Sequence, residues 1–192
     1  DSKDVNCCAV ESPYARSTGR GAADRMAKHL GGKGECVAFY ELGLEASEKR
    51  MNGVDYQCQE KYPKMKLVNR LNAGGDTQTA AAAAAAAIQA NPNLRGIVTP
   101  SGVSAVGAAT AIREAGKTGQ IHVVGWDRDV ALLDGIKAGD IAGSIIQNTY
   151  NMGYWSMMIM YNKKHNLQPA TLPMFIDVGY DMCTIENVDS HY

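Results

Sequence analysis

Residues 121–140 read IHVVGWDRDVALLDGIKAGD. The apolar run from Ile121 to Trp126 has the composition of a strand. A charged corner, Asp127-Arg-Asp129, then leads into a helix-period stretch, Val130 to Ala138, stopped by Gly139. The same strand, corner and helix recur in both directions. Upstream, Ile97-Val-Thr99 precedes a helix from Val103 to Ala115 closed by Gly116, and Lys66 to Leu71 precedes a helix capped by Asp76 that ends at Asn91-Pro92. Cys36-Val-Ala-Phe-Tyr40 is followed by a helix from Ser47 to Lys61, with Ser47 as its expected N-cap. Val5 to Val10 is followed by a helix from Ser17 to Leu30, with Ala22, Ala23, Met26, Ala27 and Leu30 on one stripe and Gly31-Gly32 as its stop. Downstream come a strand from Ile141 to Gln147, a helix from Met152 to Lys163 and a last strand from Met174 to Val178. Such alternation with short connections predicts an α/β fold, doubly wound around a mostly parallel sheet.

The 192 residues are 45% hydrophobic and 20% charged, which argues against wholesale disorder. A chain of this length buries about 70% of its unfolded surface, so it needs no metal or disulfide framework. A net charge of −1 lacks the footprint of a nucleic-acid binder, and no such partner is expected. The apolar run Met157 to Tyr161 is far too short to span a bilayer. Cys7, Cys8, Cys36, Cys58 and Cys183 are an odd number without metal-ligand spacing, and read as scattered buried thiols. The eight alanines from Ala80 to Ala87 read as a helical packing surface. Met152 to Lys163 differs from the other helices: Tyr154, Trp155, Met157, Met158, Ile159, Met160 and Tyr161 leave it almost no polar face. A helix apolar all round is either covered all round or an exposed Met-rich interface.

No nucleophile elbow, phosphate-binding loop or H-E-x-x-H occurs. Gly19-Arg-Gly21 lies inside a helical stripe, and Gly31-Gly-Lys-Gly34 leads into a strand, so neither has the strand–loop–helix order that cradles phosphate. His29, His122, His165 and His191 are scattered without a partnering Cys or Ser; His122, in a strand, reads as a core histidine. The carboxyl ends of the strands are more informative, because ligands of open α/β sheets bind there. They carry Glu41, Asn72 to Asp76, Pro100-Ser101, Trp126-Asp127-Arg128 and Gln147-Asn148. Carboxylates accept from sugar hydroxyls, guanidinium and amide groups donate to them, and an indole face covers the C–H side of a sugar ring.

These residues fall into a longer pattern. Gly31-Gly-Lys-Gly34 before an apolar strand, Ser47-x-x-Arg50-x-x-Gly53, Gln89-Ala-Asn-Pro-Asn-Leu-Arg-Gly-Ile97, Ala115-Gly116 and Val123-Val-Gly-Trp-Asp127 follow one another in order. Ile136-Lys-Ala-Gly139, Ile145-Ile-Gln147 with Met152-Gly153, and Glu186-Asn-Val-Asp189 continue the register. The sequence resembles the type I periplasmic sugar-binding proteins related to ribose-binding protein, through essentially its whole length. The resemblance implies a sugar held between two lobes joined by three hinge strands, without catalysis, cofactor or metal. It places Arg50, Asp127, Gln147, Trp126 and Ser101 at ligand-contacting positions and Asp1 at the first hinge crossover, where Ser2 departs from the usual charged follower. Trp126 stands where the family usually has Phe. Gly75 replaces an aromatic expected just before Asp76, and Ser101-Gly102 replaces an Asn-Asp pair, so the particular sugar is left open.

The resemblance further implies that residues 1–147 form a C-terminal lobe, that 148–168 is a helix of an N-terminal lobe whose first part lies upstream of Asp1, and that 169–192 returns to the C-terminal lobe. The expected role is the sugar-binding component of an ABC importer, periplasmic or extracellular, lipid-anchored if a precursor carries a lipobox. Its expected partners are a sugar and the membrane permease, with self-association through Met152 to Tyr161. An extracellular sensing domain of a chemotaxis or two-component system, and the effector-binding core of a lactose-repressor-type regulator, are the alternatives.

Overall fold

The computed structural model describes residues 9–11, 15–167 and 175–192. Asp1, Cys7, Cys8 and most of the strand expected over Val5 to Val10 lie outside them. In chain order the elements are β1 (Ala9–Glu11), α1 (Ala15–Leu30), β2 (Gly34–Tyr40), α2 (Glu45–Lys61), β3 (Met65–Asn72), α3 (Thr77–Ala90) and β4 (Leu94–Val98). Then follow α4 (Gly102–Glu114), β5 (His122–Trp126), α5 (Val130–Ala138), β6 (Gly143–Gln147), α6 (Thr149–Lys164), β7 (Phe175–Asp177) and β8 (Tyr180–Cys183), with a closing 3-10 turn at Val188–His191.

Six strands form one sheet in the order β3-β2-β4-β5-β6-β8, and the pairs from β3 through β6 are parallel. Successive side chains of a strand point to opposite faces, and this sorts the core into two halves. Val37, Phe39, Ile97, Val123 and Ile146 join α3, α4 and α5 on one face. Cys36, Ala38, Val98, Val124, Trp126 and Ile145 join α1 and α2 on the other. The result is the predicted doubly wound sandwich. The alanine run packs as expected: Ala80, Ala84 and Ala87 are buried, and Gly107 of α4 faces the backbone of α3 so closely that a Cβ would collide with the Thr77 carbonyl. Asp76 caps α3, accepting from the Thr79 N–H at 2.9 Å.

Helices α1 and α2 meet through glycine on both sides. A Cβ on Gly19 would strike the Arg50 carbonyl, and one on Gly53 would strike the Arg16 carbonyl. Gly19-Arg-Gly21 is therefore helix-packing sequence.

Three expectations are corrected. Ser47 is not the N-cap of α2, which starts two residues earlier after Leu44 without a side-chain cap; Ser47 is buried, and its hydroxyl accepts from the Glu41 N–H at 2.9 Å. The strand near Met174 to Val178 does not enter the main sheet: β7 pairs in parallel with β1 in a separate two-stranded sheet. It is β8 that lies beside β6, reached through a turn in which Asp177 accepts from Gly179 N–H at 2.9 Å. Its sequence, Tyr-Asp-Met-Cys, carries no β-branched run to announce it. The chain divides into two compact units, Ala15–Ile146 with Met182–Tyr192, and Asp1–Tyr14 with Gln147–Asp181. β1 and β7 thus group with α6 and not with residues 15–146, because they pair with each other and the first of them packs on α6.

No residue of α6 is buried. Tyr150 is 78%, Met157 63% and Met160 57% exposed, so the apolar surface foreseen for this helix is presented outward. No helix among the described residues is long and apolar enough to cross a membrane.

Candidate functional site

In the order β3-β2-β4, the chain goes from β2 outward to β3 and then returns to the other side of β2. That reversal makes a topological switch point at the carboxyl ends of β2 and β4, the place where open α/β sheets bind ligands. Glu41 follows β2, Ser101 follows β4, and Trp126-Asp127 ends the next strand. Arg50, on the second turn of α2, reaches the same rim.

Arg50 is the centre of the arrangement. One terminal nitrogen donates to the Pro100 carbonyl at 2.6 Å, and the guanidinium lies over the Trp126 ring, 5.3 Å from its centroid. Burial lowers its pKa, while the carboxylates of Asp127 and Glu41 favour the charged form. Its Nε is buried without a hydrogen-bond partner among the described residues, as is the Trp126 Nε1. A buried donor of this kind costs about 1–3 kcal/mol unless a ligand or water satisfies it.

Trp126 corrects an expectation. Its ring is fully buried, among Met26, Cys36, Val98 and Val124 on the α1–α2 face of the sheet. An indole with no exposed face cannot cover a sugar from this position; it supports Arg50 from below by a cation–π contact.

Asp127 has φ +73, rare for a residue with a side chain and costing about 1–2 kcal/mol. Its peptide groups hold it there: the N–H donates to the Ile145 carbonyl at 2.8 Å, and its own carbonyl accepts from the buried Ser144 hydroxyl at 2.7 Å. The strained corner is thereby turned by β6, a neighbour that only the fold supplies.

Ser101 caps α4. Its hydroxyl contacts the Ser104 hydroxyl at 2.9 Å and donates to Glu41 Oε1 at 2.6 Å, and Ser104 lies 3.1 Å from the same oxygen. Ser104 was not among the sequence candidates; the Ser-x-x-Ser spacing at the start of α4 was the available signal. Gly102, where the family pattern has Asp, leaves room that the Asp129 carboxylate fills against α4. Gln147, half-buried, is the last residue of β6 and begins the second unit. Asp1 lies outside the described residues.

No group of three His, Cys, Asp or Glu side chains among the described residues is placed to hold a metal. His122 packs edge-on against His29, with centroids 4.4 Å apart, far from the rim at the amino end of β5. Two depressions lie elsewhere, of ≈ 680 Å³ at the amino ends of β4 and β5 around Asn93, Arg95 and Lys117, and of ≈ 610 Å³ beside edge strand β3 around Asp55, Pro63 and Lys66. Neither includes a rim residue, so size does not pick out the chemistry here.

A model described as "periplasmic binding protein domain" matches residues 1–166. The D-allose-binding periplasmic protein of Escherichia coli (strain K12) is 31% identical over 146 residues, 75% of this chain and 47% of that protein. The chain thus spans about half the length of this curated relative. A sugar-binding protein of a sugar ABC transporter from Bacillus halodurans superposes with a TM-score of 0.93 at 28% identity, covering 98% of this chain and 68% of the other. An arabinose-binding protein from Geobacillus stearothermophilus gives 0.92 at 30% identity, covering 97% and 66%.

Proposed function

Since the chain belongs to the periplasmic binding protein domain family, we propose that it binds a sugar or related polyol as the substrate-binding component of an ABC importer. The observation that carries this reading is the Arg50 cluster at the switch point. A guanidinium lies on a buried indole and is flanked by the Asp127 and Glu41 carboxylates, with a donor still unsatisfied. Fixed donors and acceptors without a nucleophile–base pair suit reversible binding rather than catalysis. Named relatives support the ligand class, since they are described as binding D-allose and arabinose.

In this reading the unit Ala15–Ile146 with Met182–Tyr192 is the C-terminal lobe, and α6 belongs to the N-terminal lobe. Arg50, Asp127, Ser101 and Gln147 contact the sugar, and Asp1 lies at a hinge crossover. A membrane permease is the second partner, and the site of action is periplasmic or extracellular, with a lipid anchor if the precursor carries a lipobox. Left uncovered, the apolar face of α6 from Met152 to Tyr161 is a self-association surface.

Saturation-transfer NMR with a panel of aldopentoses, aldohexoses and alditols tests the ligand class. At least one should give a saturable response that a folded Asp127→Asn variant loses. No response to any member overturns the reading.

A further inference from the structure

The rim holds one carboxylate, Glu41, that the resemblance did not place at a ligand-contacting position. Glu41 is half-buried at the carboxyl end of β2, and both its backbone and its side chain are held. Its N–H donates to Ser47 of α2, and Oε1 is bound by Ser101 and Ser104 of α4 at 2.6 and 3.1 Å. Those contacts use one carboxylate oxygen. Oε2 has no hydrogen-bond partner among the described residues.

Beside this carboxylate, the space at Gly75 is open. Gly75 has φ +77, and a Cβ built on it would meet only the Glu41 Cδ, at 3.9 Å. This is the position where the resemblance leads one to expect an aromatic side chain. Glycine there removes a stacking surface and uncovers the carboxylate. The two departures from the family pattern, Gly75 and Ser101, therefore act together: one exposes Glu41 and the other orients it.

Charge adds a second consequence. Arg50 is the half-buried cation of the cluster, and both Asp127 and Glu41 act on it. Two carboxylates around one guanidinium leave this cluster net negative, and a low-dielectric wall strengthens the effect on an entering charge.

We infer that Glu41 is a ligand-contacting, specificity-determining residue, whose free carboxylate oxygen accepts from the hydroxyl or ammonium groups of a polyol or amino sugar and turns away sugar acids and sugar phosphates. This inference rests on the sugar-binding reading of the same rim. It assigns to a hydrogen-bonding carboxylate the recognition that an aromatic ring would otherwise supply, so a ligand should be read here by its hydroxyl pattern more than by its apolar face.

Ligand-observed NMR titration of the whole chain with D-allose, D-glucosamine and D-galacturonate provides the test. Wild type should bind the neutral and cationic sugars at least about tenfold more tightly than the uronate. Glu41→Gln keeps an oxygen for Ser101 and Ser104 but replaces the free acceptor by a donor. It should lose about tenfold for D-allose, as expected for a hydrogen bond to a charged group, and should narrow the discrimination against D-galacturonate. A merely structural role would weaken all three alike. A folded Glu41→Gln variant with wild-type affinities and ranking overturns the inference and leaves the sugar-binding reading intact. So does a wild-type chain that binds the uronate as well as the neutral sugar, a result that needs no variant. Failure of all three sugars and of the wider panel overturns the reading and this inference with it.

Discussion

Replacing Gly19 with alanine should destabilise the protein, although alanine is the better helix former. In the middle of a helix Ala is favoured over Gly by about 1 kcal/mol. Against that gain stands the closest approach between α1 and α2. The new Cβ would overlap the Arg50 carbonyl oxygen, with the Arg50 carbonyl carbon at 2.9 Å and the Gly53 Cα at 3.0 Å. These are backbone atoms on a helix that is itself fixed against the sheet by Met51, Val54 and Cys58, so no side chain can rotate away. Overpacking of this sort costs about 3 kcal/mol at the upper end of its usual range. The net loss is then ~2 kcal/mol, or ~4–8 °C in melting temperature for a domain of this size. Because the contact is made at Arg50, the helices can separate only by moving the guanidinium from its place over Trp126. On the proposed sugar-binding function, sugar affinity should therefore fall along with stability. Thermal unfolding followed by circular dichroism measures the first effect and NMR titration the second. Gly153→Ala is the control: it is also a helical glycine, but nothing lies within 4 Å of its added Cβ, and it should melt no lower than wild type. A Gly19→Ala protein that melts at or above wild type would refute the argument.

The His29–His122 pair should make the fold acid-sensitive. Burial first, then His29 and Arg95, pushes His122 down from 6.5 to about 4, and burial with Arg25 lowers His29. A histidine kept neutral by the fold contributes its full stability above pH 6.5 and loses it as the pH falls towards 4. At a half-buried site this amounts to ~1–2 kcal/mol after solvent screening. Urea midpoints measured across that interval should decline in wild type and much less in His122→Phe. Ser144→Ala should cost ~1–2 kcal/mol by leaving the Asp127 carbonyl short of its buried donor; on the proposed function, sugar affinity should drop several-fold through relaxation of the strained corner, and an unchanged affinity would show that Ser144 does not position Asp127. Burial raises the Cys36 and Cys58 thiols to about 12. Peptide mapping after brief maleimide treatment at neutral pH should find both unlabelled in the native protein and labelled in urea, since the thiolate is the reactive form.

Much of the architecture was legible because its signals are local. The stop at Gly139 needs a left-handed residue, which it adopts with φ +82, and the Asp76 cap needs only a carboxylate three residues before an N–H. Where the local signal was ambiguous, the reading slipped. Ser47 looked like a cap because serine is a good one, yet in the fold its hydroxyl is used by Glu41 of a neighbouring element. Similarly, β8 is defined by its place beside β6 and by nothing in its own four residues.

Sequence alone determined the alternation of elements, the doubly wound class, and the set of polar residues that reach the carboxyl ends of the strands. All of these depend on periodicity and on the order of elements along the chain. Tertiary structure decided what each rim residue does. Trp126 turns out to be a buried support because its strand sits mid-sheet beneath α1 and α2, and Asp127 is held in a strained conformation by Ser144 from the adjacent strand. Glu41 becomes an oriented acceptor only because α4 brings two serines to it across 60 residues of chain. Hydrogen bonds and burial between distant segments carry no periodicity, so the roles they confer appear only once the chain has folded.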